Sequence, residues 1–190
     1  MERQRLARTG AIHMEMTLLF AKDAEREACF VYPSQPFCYT QPAIAVRVDA
    51  SLRAIHSVND LVGLTIQEST GAFRSPFMRD SRLEIEPLSG NHYTARCFSK
   101  LLLKRIDACY QPDQYPLVFE SHRPPFRARI RVIRLNEPAI GLYSVFSRTS
   151  ALRYLAAYER CLGEAHAVLS YTDAFREFSE RRHPPQHPTP

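Results

Sequence analysis

Short apolar runs with strand periodicity recur along this chain, and stretches with helical periodicity separate most of them. IHMEMTLLF (12–20), AIAVRV (43–48), LTIQES (64–69), LEIEPL (83–88), IDACY (106–110), RIRVIRL (129–135) and GLYSVFS (141–147) all read as strands. RIRVIRL alternates at period two, which predicts a strand with one face to solvent. Residues 2–8 read as the last turns of a helix stopped by Gly10, and 57–63 as a one-turn helix or loop. Ser75-Pro76 is a good N-cap and first-turn pair for a short helix. Asn91 is placed to cap a helix running to Arg105, with Cys97, Phe98, Leu101 and Leu102 on one face. The Pro-rich stretch 112–125 reads as loop. Thr149 or Ser150 caps an amphipathic helix to Leu162, a last helix covers about 172–182, and 183–190 reads as a disordered tail. Strands alternating with helices predict α/β layers.

Composition narrows the function classes. The chain has 190 residues, enough for one large domain or two small lobes with a buried core. It is 45% hydrophobic but has no tract of eighteen apolar residues, so no membrane span is expected. Its net charge of +5, from 25 basic and 20 acidic groups, comes without a basic stripe or an RNA-binding signature, so no nucleic-acid partner is expected. Five scattered cysteines (Cys29, Cys38, Cys97, Cys109, Cys161) lack the spacing of a zinc site, and no metal is expected. Most are expected to pack as small hydrophobes, although Cys29 and Cys38 flank a turn and could bridge. There is no P-loop, no G-x-G-x-x-G and no G-x-S-x-G elbow, so neither a cofactor nor a catalytic residue is expected. His56, His92 and His122 read as surface residues. MERQRLARTG lacks the apolar core of a secretory signal, so the chain as it stands shows no export signal.

The order of short motifs carries more information than any one of them. RLARTGAIHMEMTLLFAKDAER resembles a helix, a G-x-hydrophobic-D strand and an (S/T)-x-E-R turn; YPSQPF resembles an F-S-x-P-Y corner; and AIAVR resembles a crossover strand. SVNDLVGLTIQESTG resembles s-x-x-D-L-x-G-x-x-hydrophobic-x-x-x-x-G, LLLKRIDA resembles L-x-x-G-R-hydrophobic-D-A, and PAIGLYSVFSRTS resembles a return crossover strand. In this order they resemble the family 3 extracellular solute-binding proteins, the amino-acid-binding branch of the type II periplasmic binding fold. The resemblance implies two lobes, each a mixed sheet flanked by helices. Lobe 1 would take residues 1–47, lobe 2 residues 48–140, and 141–182 would return to lobe 1. In the family, lobe 1 begins with a strand, a helix and a second strand, whereas this chain starts inside the next helix. Lobe 1 is therefore expected to be incomplete, either because the true start lies upstream with a signal peptide or because the protein is a degraded or partner-completed version.

The resemblance also assigns residues. Arg26 matches the turn arginine that holds the ligand's α-carboxylate, a task suited to a planar guanidinium with two parallel N–H donors. Phe37, or Tyr32, would line the wall of the cleft. Gly71 matches the glycine of the lobe 2 loop, before backbone N–H groups that favour an anion. Ala72 and Phe73 stand where hydroxyl residues are usual, so Arg74 is a candidate replacement that would favour a more negative ligand. Asp113 falls one step beyond the acid that holds the ligand's α-amine, with Pro112 in the matching place. Asp107 is expected to cap or orient a strand, and His13 replaces the aspartate of G-x-hydrophobic-D.

The implied function is the substrate-binding component of a transport system. A small solute, amino-acid-like or carboxylate-bearing, would bind between the lobes by hinge closure, and a membrane permease would be the partner in a periplasmic setting. The alternative is a ligand-sensing regulatory module of the same fold. No catalysis is implied.

Overall fold

The computed structural model describes residues 16–182. The helix expected at 2–8, His13 and the tail from 183 lie outside the described residues. The chain divides into two compact units: one takes the residues up to Tyr39 and from Ile140 onward, the other Thr40–Ala139.

The first unit contains β1 (Met16–Ala21), α1 (Ala24–Cys29) and β2 (Cys38–Thr40), whose last residue opens the second unit, then β8 (Ile140–Phe146), α4 (Arg148–Val168) and α5 (Tyr171–Arg182). Its three strands are ordered β1-β8-β2, with β1 antiparallel to β8. Phe30 and Val145 form a small core, against which Tyr32 and Tyr143 pack. The cap of α4 is Ser147, whose Oγ accepts from the Ser150 backbone N–H; the expected caps, Thr149 and Ser150, lie inside the helix. The helix also runs to Val168, through Gly163, because a glycine lowers helix propensity without stopping a turn.

The second unit is a five-stranded mixed sheet of β3 (Ala43–Arg47), β4 (Thr65–Ser69), β5 (Glu84–Leu88), β6 (Ala108–Gln111) and β7 (Ile130–Arg134), in the order β5-β4-β6-β3-β7. β4 runs parallel to β5 and β6, whereas β3 is antiparallel to β6 and β7. The boundary expected at 47/48 assigned β3 to the first lobe; in the structure β3 is hydrogen-bonded on both edges inside this sheet. Its apolar run follows from burial on both faces. Ala43 and Ala45 pack with Phe98, Leu101 and Leu117, under helices α2 (Tyr93–Leu102) and α3 (Gln114–Ser121). Ile44 and Val46 pack on the other face with Leu61, Ile66, Met78 and Tyr110. Each of the larger aliphatic and Phe side chains contributes roughly 1.5–3 kcal/mol through burial. Pro87 sits on the edge strand β5, where a missing N–H leaves no ladder bond unmade on the open side.

Several local expectations need correction. The stretch 112–125 is not all loop, because it contains α3. Asp113 caps that helix by accepting from the Tyr115 N–H, and Pro116 lies in the first turn, where no intrahelical N–H bond is made. The residue preceding α2 is His92 at φ 54°, without a side-chain bond, in place of the expected Asn91. That helix ends at Leu102 and not at Arg105, because Lys104 takes a left-handed φ of 56°. The Arg105 N–H then bonds the Lys100 carbonyl, closing a Schellman turn. Lys104 stands where the resembling motif has glycine. Ser75 does not cap its helix: Pro76 precedes a three-residue 3-10 turn, Phe77–Arg79, and the Ser75 hydroxyl is buried. Asp107 does orient a strand, accepting from the Thr65 N–H at 3.0 Å. His56, His92 and His122 are exposed.

The cysteines also differ from expectation. Cys97 of α2 and Cys109 of β6 form a disulfide inside the core, while Cys29, Cys38 and Cys161 form no disulfide, so Cys29 and Cys38 do not bridge.

Candidate functional site

The expected site residues fall into groups that belong to separate units. In the first unit, Asp23 caps α1, its Oδ1 accepting from the Arg26 N–H at 2.8 Å. The Arg26 side chain turns back along the same turn. Its Nη1 donates to the Ala21 carbonyl at 3.2 Å and pairs with Asp23 Oδ2 at 3.3 Å, and the side chain keeps 18% of its exposure. The Tyr32 hydroxyl donates to the same Ala21 carbonyl, and its ring meets Tyr143 edge-on. Burial pushes the Tyr32 hydroxyl up to about 12, against the opposing effect of the Arg26 charge. The structure therefore brings Arg26 and Tyr32 together on one backbone oxygen.

Phe37 makes a different set of contacts. Its N–H donates to the Leu142 carbonyl, its own carbonyl bonds His166 Nε2, and its ring meets Tyr171 edge-on. With Pro36, Cys38, Tyr39, His166 and Tyr171 it lines a pocket of about 390 Å³ within this unit.

In the second unit, the loop after β4 turns at Gly71. Its φ of 68° suits the third position of a turn closed by the Ala72 N–H on the Ser69 carbonyl, a conformation that glycine adopts without strain. Arg74 does not point an unpaired cation outward. Its Nε and Nη2 grip Glu68 at 2.9 Å to Oε2 and 2.6 Å to Oε1, and the Glu68 side chain is only 5% exposed. Asp113 combines its capping bond with a 2.7 Å bond from the Thr40 hydroxyl, and burial raises its pKa despite both.

Two residues that sequence reasoning missed join this group. The Glu137 backbone carbonyl accepts from Gln41 Nε2, and its Oε1 accepts from the Phe77 N–H. The Tyr110 hydroxyl donates to the Phe73 carbonyl and accepts from the Ser75 N–H, so it holds the whole loop. Tyr110 lies in a strand run and Glu137 in a turn, and neither belongs to a recognisable motif. Among the described residues, no group of three or more His, Cys, Asp and Glu could hold a metal ion, and no helix is long and apolar enough to cross a membrane.

No protein-family model and no curated protein matches the sequence. Solved structures do match in fold. An amino acid ABC transporter substrate-binding protein, AbpA of Streptococcus pneumoniae bound to L-arginine, aligns with a TM-score of 0.75 at 12% identity over 95% of this chain and 73% of its own. The GluR0 ligand-binding core of Nostoc punctiforme in complex with L-glutamate aligns at 0.68 and 14% identity, over 94% and 76%. The VFT2 domain of BvgS from Bordetella pertussis aligns at 0.67 and 15% identity, over 95% and 72%. At such identities the likeness is one of fold: the chain is α/β and has the type II periplasmic binding fold.

Proposed function

We propose that the chain is a ligand-binding module that takes an amino-acid-like or small carboxylate-bearing solute between its lobes and closes on it. The observation that carries this reading is the pinned guanidinium of Arg26. A long flexible cation ordinarily loses side-chain entropy on meeting a ligand. Here Ala21 and Asp23 have already ordered it in a half-dehydrated turn, which favours a carboxylate approaching in plane. Gly71 and the backbone after it, together with Asp113, supply the lobe 2 contacts. Two of the similar structures hold ligands with the same α-amino acid end and different side chains, which supports an amino-acid-like ligand and leaves the side chain open.

The role is solute capture for a permease in the periplasm, without catalysis. The buried disulfide supports this setting, because such bonds persist in oxidising compartments and are rare in the cytosol. The likeness to the BvgS domain and the GluR0 core, neither described as a transport protein, favours a second reading as a ligand-sensing module.

Thermal unfolding with a panel of L-amino acids and dicarboxylates tests the binding reading. A solute at about 100 times its Kd stabilises the folded chain by about 2.7 kcal/mol and raises the midpoint. Arg26→Ala is expected to abolish that rise. A panel in which no solute moves the midpoint overturns the proposal.

A further inference from the structure

We propose that one end of the second unit is a docking surface for a bilayer rich in acidic lipid headgroups, a role separate from solute binding and independent of it. The sheet topology creates this end. β3 is antiparallel to β6 and β7, and β4 is parallel to both β5 and β6. The end of β3 therefore lies beside the starts of the other four strands. Segments 47–53, 103–107 and 120–131 meet there, joined by hydrogen bonds. The Val48 N–H donates to the Arg129 carbonyl, and Arg131 donates to the Leu52 and Val48 carbonyls. Arg47 Nη1 reaches the Leu101 carbonyl near the end of α2.

These three segments carry eight arginines and lysines against three acids, Asp49, Asp107 and Glu120, an excess of five that equals the net charge of the whole chain. The acids are engaged: Asp49 pairs with Arg47, Glu120 with Arg123, and Asp107 accepts from the Thr65 N–H. Arg53 and Arg131 donate to backbone carbonyls, while Lys104, Arg105, Arg127 and Arg129 are exposed and form no ion pair among the described residues. Toward β5 the same end carries Arg82 with Asp60, Asp80 and Glu84, so the excess lies on the β6-β3-β7 side. A merely solvated cationic face has no use for aliphatic side chains. Yet all three large apolar side chains that this unit exposes lie at this end: Val48 at 43%, Val62 at 44% and Leu103 at 62%. Leu103 directly precedes Lys104 and Arg105, and Val48 follows Arg47. Aliphatic side chains among cations suit a bilayer interface, where the cations meet phosphate and the apolar groups enter the acyl boundary. Duplex DNA offers phosphates without an apolar layer. A single strand would call for exposed aromatic rings, and no Phe or Tyr of these segments is exposed.

The test is flotation of the full chain with vesicles of phosphatidylcholine, alone or mixed with phosphatidylglycerol. Binding to the acidic vesicles is expected to be at least about tenfold tighter than to the neutral ones. It should weaken at least about tenfold between about 0.1 M and about 1 M salt, where the screening length falls from about 10 Å to about 3 Å. Arg105→Gln/Arg127→Gln is expected to cost at least about tenfold in vesicle affinity. Arg153→Gln/Arg160→Gln, in the exposed part of α4, removes the same charge and is expected to leave that affinity within about twofold. Leu103→Gln is expected to weaken vesicle binding at least about threefold and to leave any binding to duplex DNA unchanged. All five positions are exposed, so each variant should keep the cooperative melt of the parent chain. Four results would each overturn the inference: equal binding to neutral and acidic vesicles, no binding to either, equal losses in the two double variants, or vesicle binding indifferent to Leu103. Tighter binding to duplex DNA than to acidic vesicles would do the same, and would make the surface a nucleic-acid site.

Discussion

Asp113 shows how burial and hydrogen bonding can make opposite demands on one side chain. It caps α3 and accepts from Thr40, yet burial raises its pKa above the ordinary aspartate range. A raised folded-state pKa means that its contribution to stability is full below the unfolded pKa and is lost as pH rises through the folded pKa. Asparagine keeps the capping acceptor without the charge. Asp113→Asn is therefore expected to melt higher than the wild type at pH 7 in the absence of ligand. The difference should close below about pH 4, where an aspartate in the unfolded chain is also protonated. The same variant should weaken binding of any ligand whose amine it meets. Equal melting of the two chains at pH 7 would show that the carboxylate is better solvated than its burial indicates.

At the scale of elements, α3 and α4 reveal how local rules combine. The prolines from 112 to 125 obscure α3, yet the decisive signal is Asp113 followed by Pro116, a cap and a first-turn proline. In α4 the Ser147 cap and the uninterrupted run past Gly163 extend the helix to 21 residues, with Leu152 and Val168 almost fully exposed. A Cβ placed on Gly163 meets nothing within 4 Å. Gly163→Ala is thus expected to stabilise the chain by about 0.5–1 kcal/mol, through the reduced backbone entropy of the unfolded state. Urea denaturation measures this; a loss of stability would mean that the helix does not continue through 163.

For the whole molecule, the disulfide is the cross-link with the widest consequence. Cys97 and Cys109 are separated by 12 residues, and closing a loop of that size contributes roughly 3 kcal/mol by restricting the unfolded chain. The native protein, denatured without reductant, is expected to titrate three thiols, those of Cys29, Cys38 and Cys161, and five after reduction. Reduction should also lower the unfolding midpoint. Five thiols in protein secreted to the periplasm would place both cysteines back among the ordinary core residues.

Much of the fold was legible in the sequence because burial on two faces leaves a direct trace. AIAVR, TIQES and IGLYSVF are strands at or within a residue of the expected positions, and the order of motifs identified the type II periplasmic binding architecture without close sequence similarity. The turn that carries Arg26 was legible in the same way, since its motif is contiguous. The tertiary structure alone decided three things. Cys97 and Cys109 pair because the face of α2 that seats on the sheet brings it onto β6, a meeting that no spacing encodes. Arg74, read as a cation open to a ligand, is spent on Glu68 six positions earlier, because the turn at Gly71 folds the loop back onto its own strand. And Glu137, one turn residue among many in the sequence, becomes a buried carboxylate with an unmet oxygen only when the loop ahead of it packs against Tyr110. Periodicity records which residues a chain must hide. Which charges end up facing each other depends on loops whose paths are set by long-range packing.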